Sequence, residues 1–205
     1  MKAEEFIQNT QIKVQGLPEP HKCPWLMQYM LASPIRKLLE PPRGLVGPFV
    51  KPGMTVAEPG CGFGLISLEL ARLVGEKGKV ISVDLEPRAV ERLKKRAGKA
   101  GLAERMDLRT CGSRDLGLAD YEGRIDLIAV IHTLHEFEDL PGFLMQAAAL
   151  LKSSGHLLVV EPKGHVSPAE FQAELECCKL AGFEVLETPD ISRRSMTALL
   201  APPVA

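Results

Sequence analysis

From Met54 onward the chain alternates between short apolar runs and longer segments with helical spacing. The runs Met54–Glu58, Val80–Asp84, Met106–Thr110, Ile125–Ile131 and His156–Glu161 have the length and apolar content of strands, and Phe183–Glu187 and Ser195–Leu200 would complete seven. Between them, Leu65–Val74, Pro87–Ala100, Phe137–Leu151 and Pro168–Ala181 read as helices. Pro87 and Pro168 stand where a first helical turn has no use for a backbone N–H. Gly101, Gly155 and Gly182 fall where helices are expected to stop. This alternation predicts an α/β fold with a parallel sheet covered on both faces. No internal repeat or low-complexity segment interrupts it.

Candidate chemistry is concentrated at the end of the first strand. In Thr55-Val56-Ala57-Glu58-Pro59-Gly60-Cys61-Gly62-Phe63-Gly64-Leu65 an acidic residue is followed by glycines at every second position, just before a helix. Such glycines let the backbone turn sharply and come close to a ligand where a Cβ would intrude. A dinucleotide fingerprint requires Gly-x-Gly-x-x-Gly, but its last position falls on Leu65 or Ser67, so a nicotinamide-dependent oxidoreductase is disfavoured. The second strand ends in Asp84, about twenty residues past Gly64. There a carboxylate can accept hydrogen bonds from both hydroxyls of a ribose.

Composition narrows the class. At 205 residues the chain suits one domain with a full core, and its net charge of −1 offers no basic footprint for nucleic acid. No apolar run is long enough to span a bilayer, and Met1–Glu5 lacks the layout of a signal peptide, so no membrane association is expected. Five cysteines, odd in number and without a C-x-x-C pair, fit reduced thiols in a cytoplasmic protein.

The acid-x-Gly-x-Gly-x-Gly order closely resembles motif I of class I S-adenosylmethionine-dependent methyltransferases, and the likeness extends over residues 45 to 200. Ala181-Gly182-Phe183 resembles the family's entry into strand six, Leu150–Leu157 the turn before strand five, and Asp126–Val130 motif IV. Leu134-His135-Glu136 follows motif IV as in the branch that methylates quinones and other small molecules. The resemblance implies a Rossmann-like doubly wound seven-stranded sheet, order 3-2-1-4-5-7-6 with the last strand antiparallel. It implies S-adenosylmethionine as cofactor and a small-molecule methyl acceptor, with the protein a monomer or homodimer. Glu58 would then lie near the methionine portion of the cofactor. Gly60, Cys61, Gly62 and Gly64 would wrap its amino-acid and ribose side, Asp84 beside Leu85 would hold the ribose diol, and Ile131 would complete the wall. After strand three the family often carries Gly-Asp-Ala, whereas this chain has Cys111-Gly112-Ser113-Arg114-Asp115 with no acid at the matching position. Gly112 and Ser113 are therefore the expected adenine contacts.

Three histidines fall just beyond strand ends: His132 and His135 after strand four and His165 after strand five, joined by Glu136 and Glu161. All three histidines are candidates for catalysis, and Glu161 for contact with the acceptor. A general base is required only if the acceptor arrives protonated. No metal site is expected, because no tight ligand spacing is present. Residues 1–45 form a front segment ahead of a methyltransferase domain at 46–205. Within it, Ser33–Leu39 reads as a short helix that Pro41–Gly44 ends. In the family such a segment frequently closes over the cofactor, which would place His21, Cys23 and Trp25 on the acceptor side. A soft metalloid acceptor gathered by thiolates and a non-catalytic S-adenosylmethionine sensor stay open as alternatives.

Overall fold

The computed structural model describes residues 40–204. The seven strands are β1 (Thr55–Pro59), β2 (Lys79–Asp84), β3 (Met106–Thr110), β4 (Ile125–Ile131), β5 (Leu151–Pro162), β6 (Glu184–Glu187) and β7 (Ser195–Ala201). They form one sheet in the order β3-β2-β1-β4-β5-β7-β6. Strands β1 to β5 pair in parallel, while β7 runs antiparallel to both β5 and β6. The expected architecture and strand order are therefore observed.

Successive side chains along a strand point to opposite faces, and the two faces bury different helices. One face carries Ala57, Ile81, Ile128, Val130, Leu157 and Val159 against helices α4 (Leu140–Leu150) and α5 (Pro168–Leu180). The other carries Val56, Val80, Leu127, Ala129, Leu158 and Val160 against α1 (Pro42–Val46), α2 (Ser67–Leu73) and α3 (Pro87–Lys99). The thiols of Cys177 and Cys178 on α5 are fully buried in the first layer, as their helical position predicts. Helix α5 begins with a complete capping box in which Ser167 and Glu170 satisfy each other's backbone N–H groups.

Two local expectations are corrected. Gly155 does not stop a helix. Helix α4 ends at Leu150 and β5 starts at once, with a register irregularity between Leu151 and His156; a Cβ on Gly155 would stand 2.8 Å from the Ile125 carbonyl oxygen. Pro42 opens α1 from an extended Pro41, because a first-turn proline gives up no hydrogen bond. Helix α4 begins at Leu140 rather than Phe137, since Asp139 caps it by accepting from Gly142 N at 2.9 Å. The short 3-10 turn Leu134–Glu136 thereby becomes a separate piece of wall. The proposed Ser33–Leu39 helix, His21, Cys23 and Trp25 lie outside the described residues.

The order of strands reverses between β1 and β4. Open α/β sheets bind ligands in the crevice beyond the strand ends at such a point.

Candidate functional site

The loop that leaves β1 is braced by its neighbour strand, with Gly60 N and Cys61 N both donating to the Val83 carbonyl at 2.9 and 3.1 Å. Gly60, Gly62 and Gly64 have φ of 73°, 50° and 76°, a region that side chains disfavour. Gly60 also packs closely, since a Cβ there would come within 2.7 Å of Thr133 Cγ2 on the turn after β4. At Gly62 nothing lies within 4 Å of that position, and the residue lines a cavity. The loop is pinned from α3 by the Arg96 guanidinium donating to the Phe63 carbonyl and by Arg92 over the Phe63 ring at 4.5 Å.

Asp84 meets this loop from the end of β2. One carboxylate oxygen accepts from Gly62 N at 2.7 Å and the other from Glu86 N at 2.9 Å, which holds the group at the cavity wall with lone pairs to spare. Burial raises its pKa, against those two hydrogen bonds. Glu58 is more deeply placed. Its carboxylate accepts from the Ser67 hydroxyl and, at 3.0 Å, from the Ser82 hydroxyl, and burial pushes its pKa up to about 8.

The cavity has a volume of about 530 Å³ and runs from this loop to the turn after β4. That size lies within the roughly 300–1,000 Å³ usual for small-molecule sites. Its lining includes Glu58, Gly60, Cys61, Gly62, Asp84, Leu85, Gly112, Ser113 and Ile131. Gly64 does not line it. A Cβ on Gly64 would stand 2.1 Å from Leu93 Cδ1, so its glycine serves the packing of loop on helix.

The histidines separate. His132 lines the cavity and is the sole non-glycine with positive φ among the described residues, at 60°. Its Nε2 lies 2.9 Å from Ser195 Oγ, which donates to Glu40 Oε1 at 2.7 Å. His135 is buried behind the cavity wall, its Nδ1 2.6 Å from Glu161 Oε2. Burial opposes its charge most, yet the Glu161 hydrogen bond and the nearby Glu161, Glu136 and Glu170 charges raise its pKa overall. Glu161 is fully buried. Its second oxygen accepts from Leu134 N at 2.8 Å, so it orients the turn after β4 and does not face the cavity. His165 is exposed, in edge contact with the His135 ring at 4.8 Å, and stands outside the cavity lining.

Glu136, one residue past His135, does face the cavity, and its pKa is raised to about 7 by burial. His135 Nε2 lies 4.0 Å from it. Phe137 and Phe143 stack at 4.2 Å on the same wall, joined by Gln146 and Thr133. Sequence periodicity gave no sign of these, because the break before Leu140 that turns Phe137 toward Phe143 depends on the Asp139 cap. Cys61 and Cys111 also line the cavity. Burial raises both thiols, Cys111 to about 11, so neither is a ready thiolate. Among the described residues no group of three or more His, Cys, Asp or Glu is placed to hold a metal ion.

A cavity at the switch point, framed by an acid-led glycine loop and the Asp84 carboxylate, accords with the Rossmann-like methyltransferase class. A family profile described as a methyltransferase domain matches residues 50–191, and the chain belongs to that family, whose cofactor is S-adenosylmethionine. A crystal structure of an S-adenosylmethionine-dependent methyltransferase from Aquifex aeolicus superposes with a TM-score of 0.78 at 23% identity, covering 87% of this chain and 98% of that one. The fold is also shared with the [4+2]-cyclase SpnF, at a TM-score of 0.67 and 17% identity over 82% of each chain. A ubiquinone biosynthesis O-methyltransferase of Methylocella silvestris is 28% identical over 114 residues, 56% of this chain and 42% of that protein. A probable cobalt-precorrin-6B C(15)-methyltransferase (decarboxylating) of Pyrobaculum aerophilum is 46% identical over 54 residues, 26% of this chain and 28% of its own length. The chain thus matches less than half the length of these curated relatives.

Proposed function

We propose that this protein transfers a methyl group from S-adenosylmethionine to a small-molecule acceptor. The convergence of Asp84, Gly62 and the turn after β4 on one cavity carries the reading. The residues fit the cofactor: at Gly62 the side-chain direction is open, and Asp84 is braced by two N–H groups while keeping lone pairs for a diol. When bound, S-adenosylmethionine supplies an electrophilic methyl on a cationic sulfur.

The chain's own residues then bind and orient. Asp84 accepts from the ribose hydroxyls, the Gly60–Gly62 backbone takes the amino-acid side, and Gly112 and Ser113 reach the adenine. His132 and Glu136 face the acceptor, with His135 and Glu161 behind Glu136 as positioning groups. His21, Cys23 and Trp25 would complete the acceptor side. Alignment of this kind supplies up to roughly 7–11 kcal/mol of barrier lowering. The names of the curated relatives, ubiquinone biosynthesis and cobalt-precorrin enzymes, accord with a metabolite as acceptor.

Calorimetric titration with S-adenosylmethionine, S-adenosylhomocysteine and NAD tests the cofactor. The first two are expected to bind and NAD is not; preference for NAD would end the reading. Transfer of a labelled methyl from the cofactor into a metabolite extract tests the reaction.

A further inference from the structure

Eight carboxylate residues line the cavity among the described residues, against two basic ones, Arg114 and His132. Most of the carboxylates are committed to the fold. Asp139 and Glu86 cap helices, Asp115 holds the Gly117 turn, Asp84 braces the glycine loop, Glu58 is hydroxyl-bonded, and Glu40 accepts from two serines. Glu136 differs. Neither of its oxygens takes a hydrogen bond from a described residue, and its nearest charge is the His135 ring at 4.0 Å. Arg114 follows β3, where its backbone carbonyl accepts from Gln146 Nε2 at 2.9 Å, and Glu136 stands after β4 beside the stacked Phe137–Phe143 pair. The stretch of wall that follows β4 therefore combines an aromatic surface with an uncommitted carboxylate.

We infer that the acceptor is a small amine carrying an apolar or aromatic body, held by Glu136 and methylated on nitrogen. The inference rests on the methyltransferase reading above. An anionic acceptor would be repelled by the Glu136 carboxylate, whereas an ammonium supplies the donors that its oxygens lack.

Chemistry also requires the carboxylate, because an ammonium has no lone pair to offer. On entry the nitrogen gives one proton to Glu136, and desolvation in the cavity favours that neutral amine. The freed lone pair forms the N–C bond while the S–C bond of the methyl donor breaks and its electron pair stays on sulfur. Positive charge passes from sulfur to the methylated nitrogen, and Glu136 returns its proton to solvent. A base poised near neutrality suits both halves of this cycle. Glu136 meets that condition at about 7, where burial raises it, His135 lowers it, and Glu161 from β5 and Asp84 from β2 raise it further.

The test uses the full chain saturated with S-adenosylhomocysteine and three probes that share one ring: tyramine, p-cresol and 4-hydroxyphenylacetate. Calorimetry is expected to rank tyramine at least tenfold tighter than the carboxylate, with p-cresol between. The advantage of tyramine over p-cresol should grow from pH 6 to pH 8 as Glu136 ionises. Glu136→Gln should erase that advantage and leave S-adenosylhomocysteine affinity unchanged. Equal affinity for all three probes, including none, overturns the inference, as does tighter binding of the carboxylate. Loss of S-adenosylhomocysteine affinity in Glu136→Gln would move the residue to the cofactor and overturn it too. Absence of S-adenosylhomocysteine binding in the unaltered protein, read first in the same titration, would instead fail the underlying methyltransferase reading.

Discussion

At Glu58, burial and charge oppose each other. The folded protein holds its pKa near 8, against an ordinary 4.5. A carboxyl raised in this way stabilises the fold fully only below its ordinary value, and that stability is lost as pH rises from about 4.5 through about 8. Glu58→Gln cannot ionise and keeps an oxygen for Ser67 and Ser82. Its thermal unfolding should therefore gain on the unaltered protein steadily from pH 5 to pH 8. Glu174 carries the same sign in a simpler setting. It is buried on α5 with no hydrogen-bond partner for either oxygen among the described residues, and burial raises its pKa to about 8. An unmet buried polar group costs about 1–3 kcal/mol, so Glu174→Met should stabilise the protein by that order in urea unfolding at pH 8. Asp84 is the counterpart that the proposed function requires. Charge-assisted hydrogen bonds to a ribose are worth about 1.5–3 kcal/mol. Asp84→Ala should weaken S-adenosylmethionine roughly ten- to a hundred-fold by calorimetry through the diol contacts, with a further loss because Gly62 N also loses its acceptor.

Among the elements, the loop after β1 and the turn after β4 act as a pair, since Thr133 packs on Gly60 across the crevice. Gly62→Val should remove cofactor binding more completely than Asp84→Ala while costing the fold only about 1–2 kcal/mol for a side chain at positive φ. Its side-chain position is empty of protein, so the damage falls on the ligand. Titration of the folded variant checks this, and normal affinity would make the loop an ordinary turn. Helix α5 offers a control remote from the cavity. Ser167→Ala removes the hydroxyl half of the capping box and should cost about 1 kcal/mol in urea unfolding with no change in cofactor affinity.

On the scale of the whole molecule, Glu40 ties the start of the described chain to the far end of the sheet through Ser192 and Ser195 on and before β7, with His132 at the cavity beside them. The chain ahead of Glu40 contains the single tryptophan, Trp25. If this segment covers the acceptor side, as proposed, cofactor binding should change the Trp25 emission. Removal of residues 1–39 should then cost methyl transfer far more than cofactor affinity, because closure excludes water and aligns the acceptor. Equal losses in both would assign the segment a purely structural part.

The α/β alternation, the seven strands and the pairing of the glycine loop with Asp84 were legible in the chain because each depends on local rules. Strand ends, helix starts at Pro87 and Pro168, and a loop that tolerates only glycine are set by backbone sterics within a few residues. Misreadings at Gly155 and Phe137 arose where a neighbour overrode the local signal: the Ile125 carbonyl and the Asp139 cap. The histidines show the limit most directly. His132, His135 and Glu136 are nearly consecutive, yet one imidazole and one carboxylate reach the cavity while His135 turns inward to Glu161 from another strand. Spacing along the chain can bring such groups to one strand end, but side-chain direction there follows from a positive φ at His132, a 3-10 turn and a buried partner 26 residues away. Only the packed sheet brings those three constraints together, so tertiary structure decided which of these groups meets a ligand.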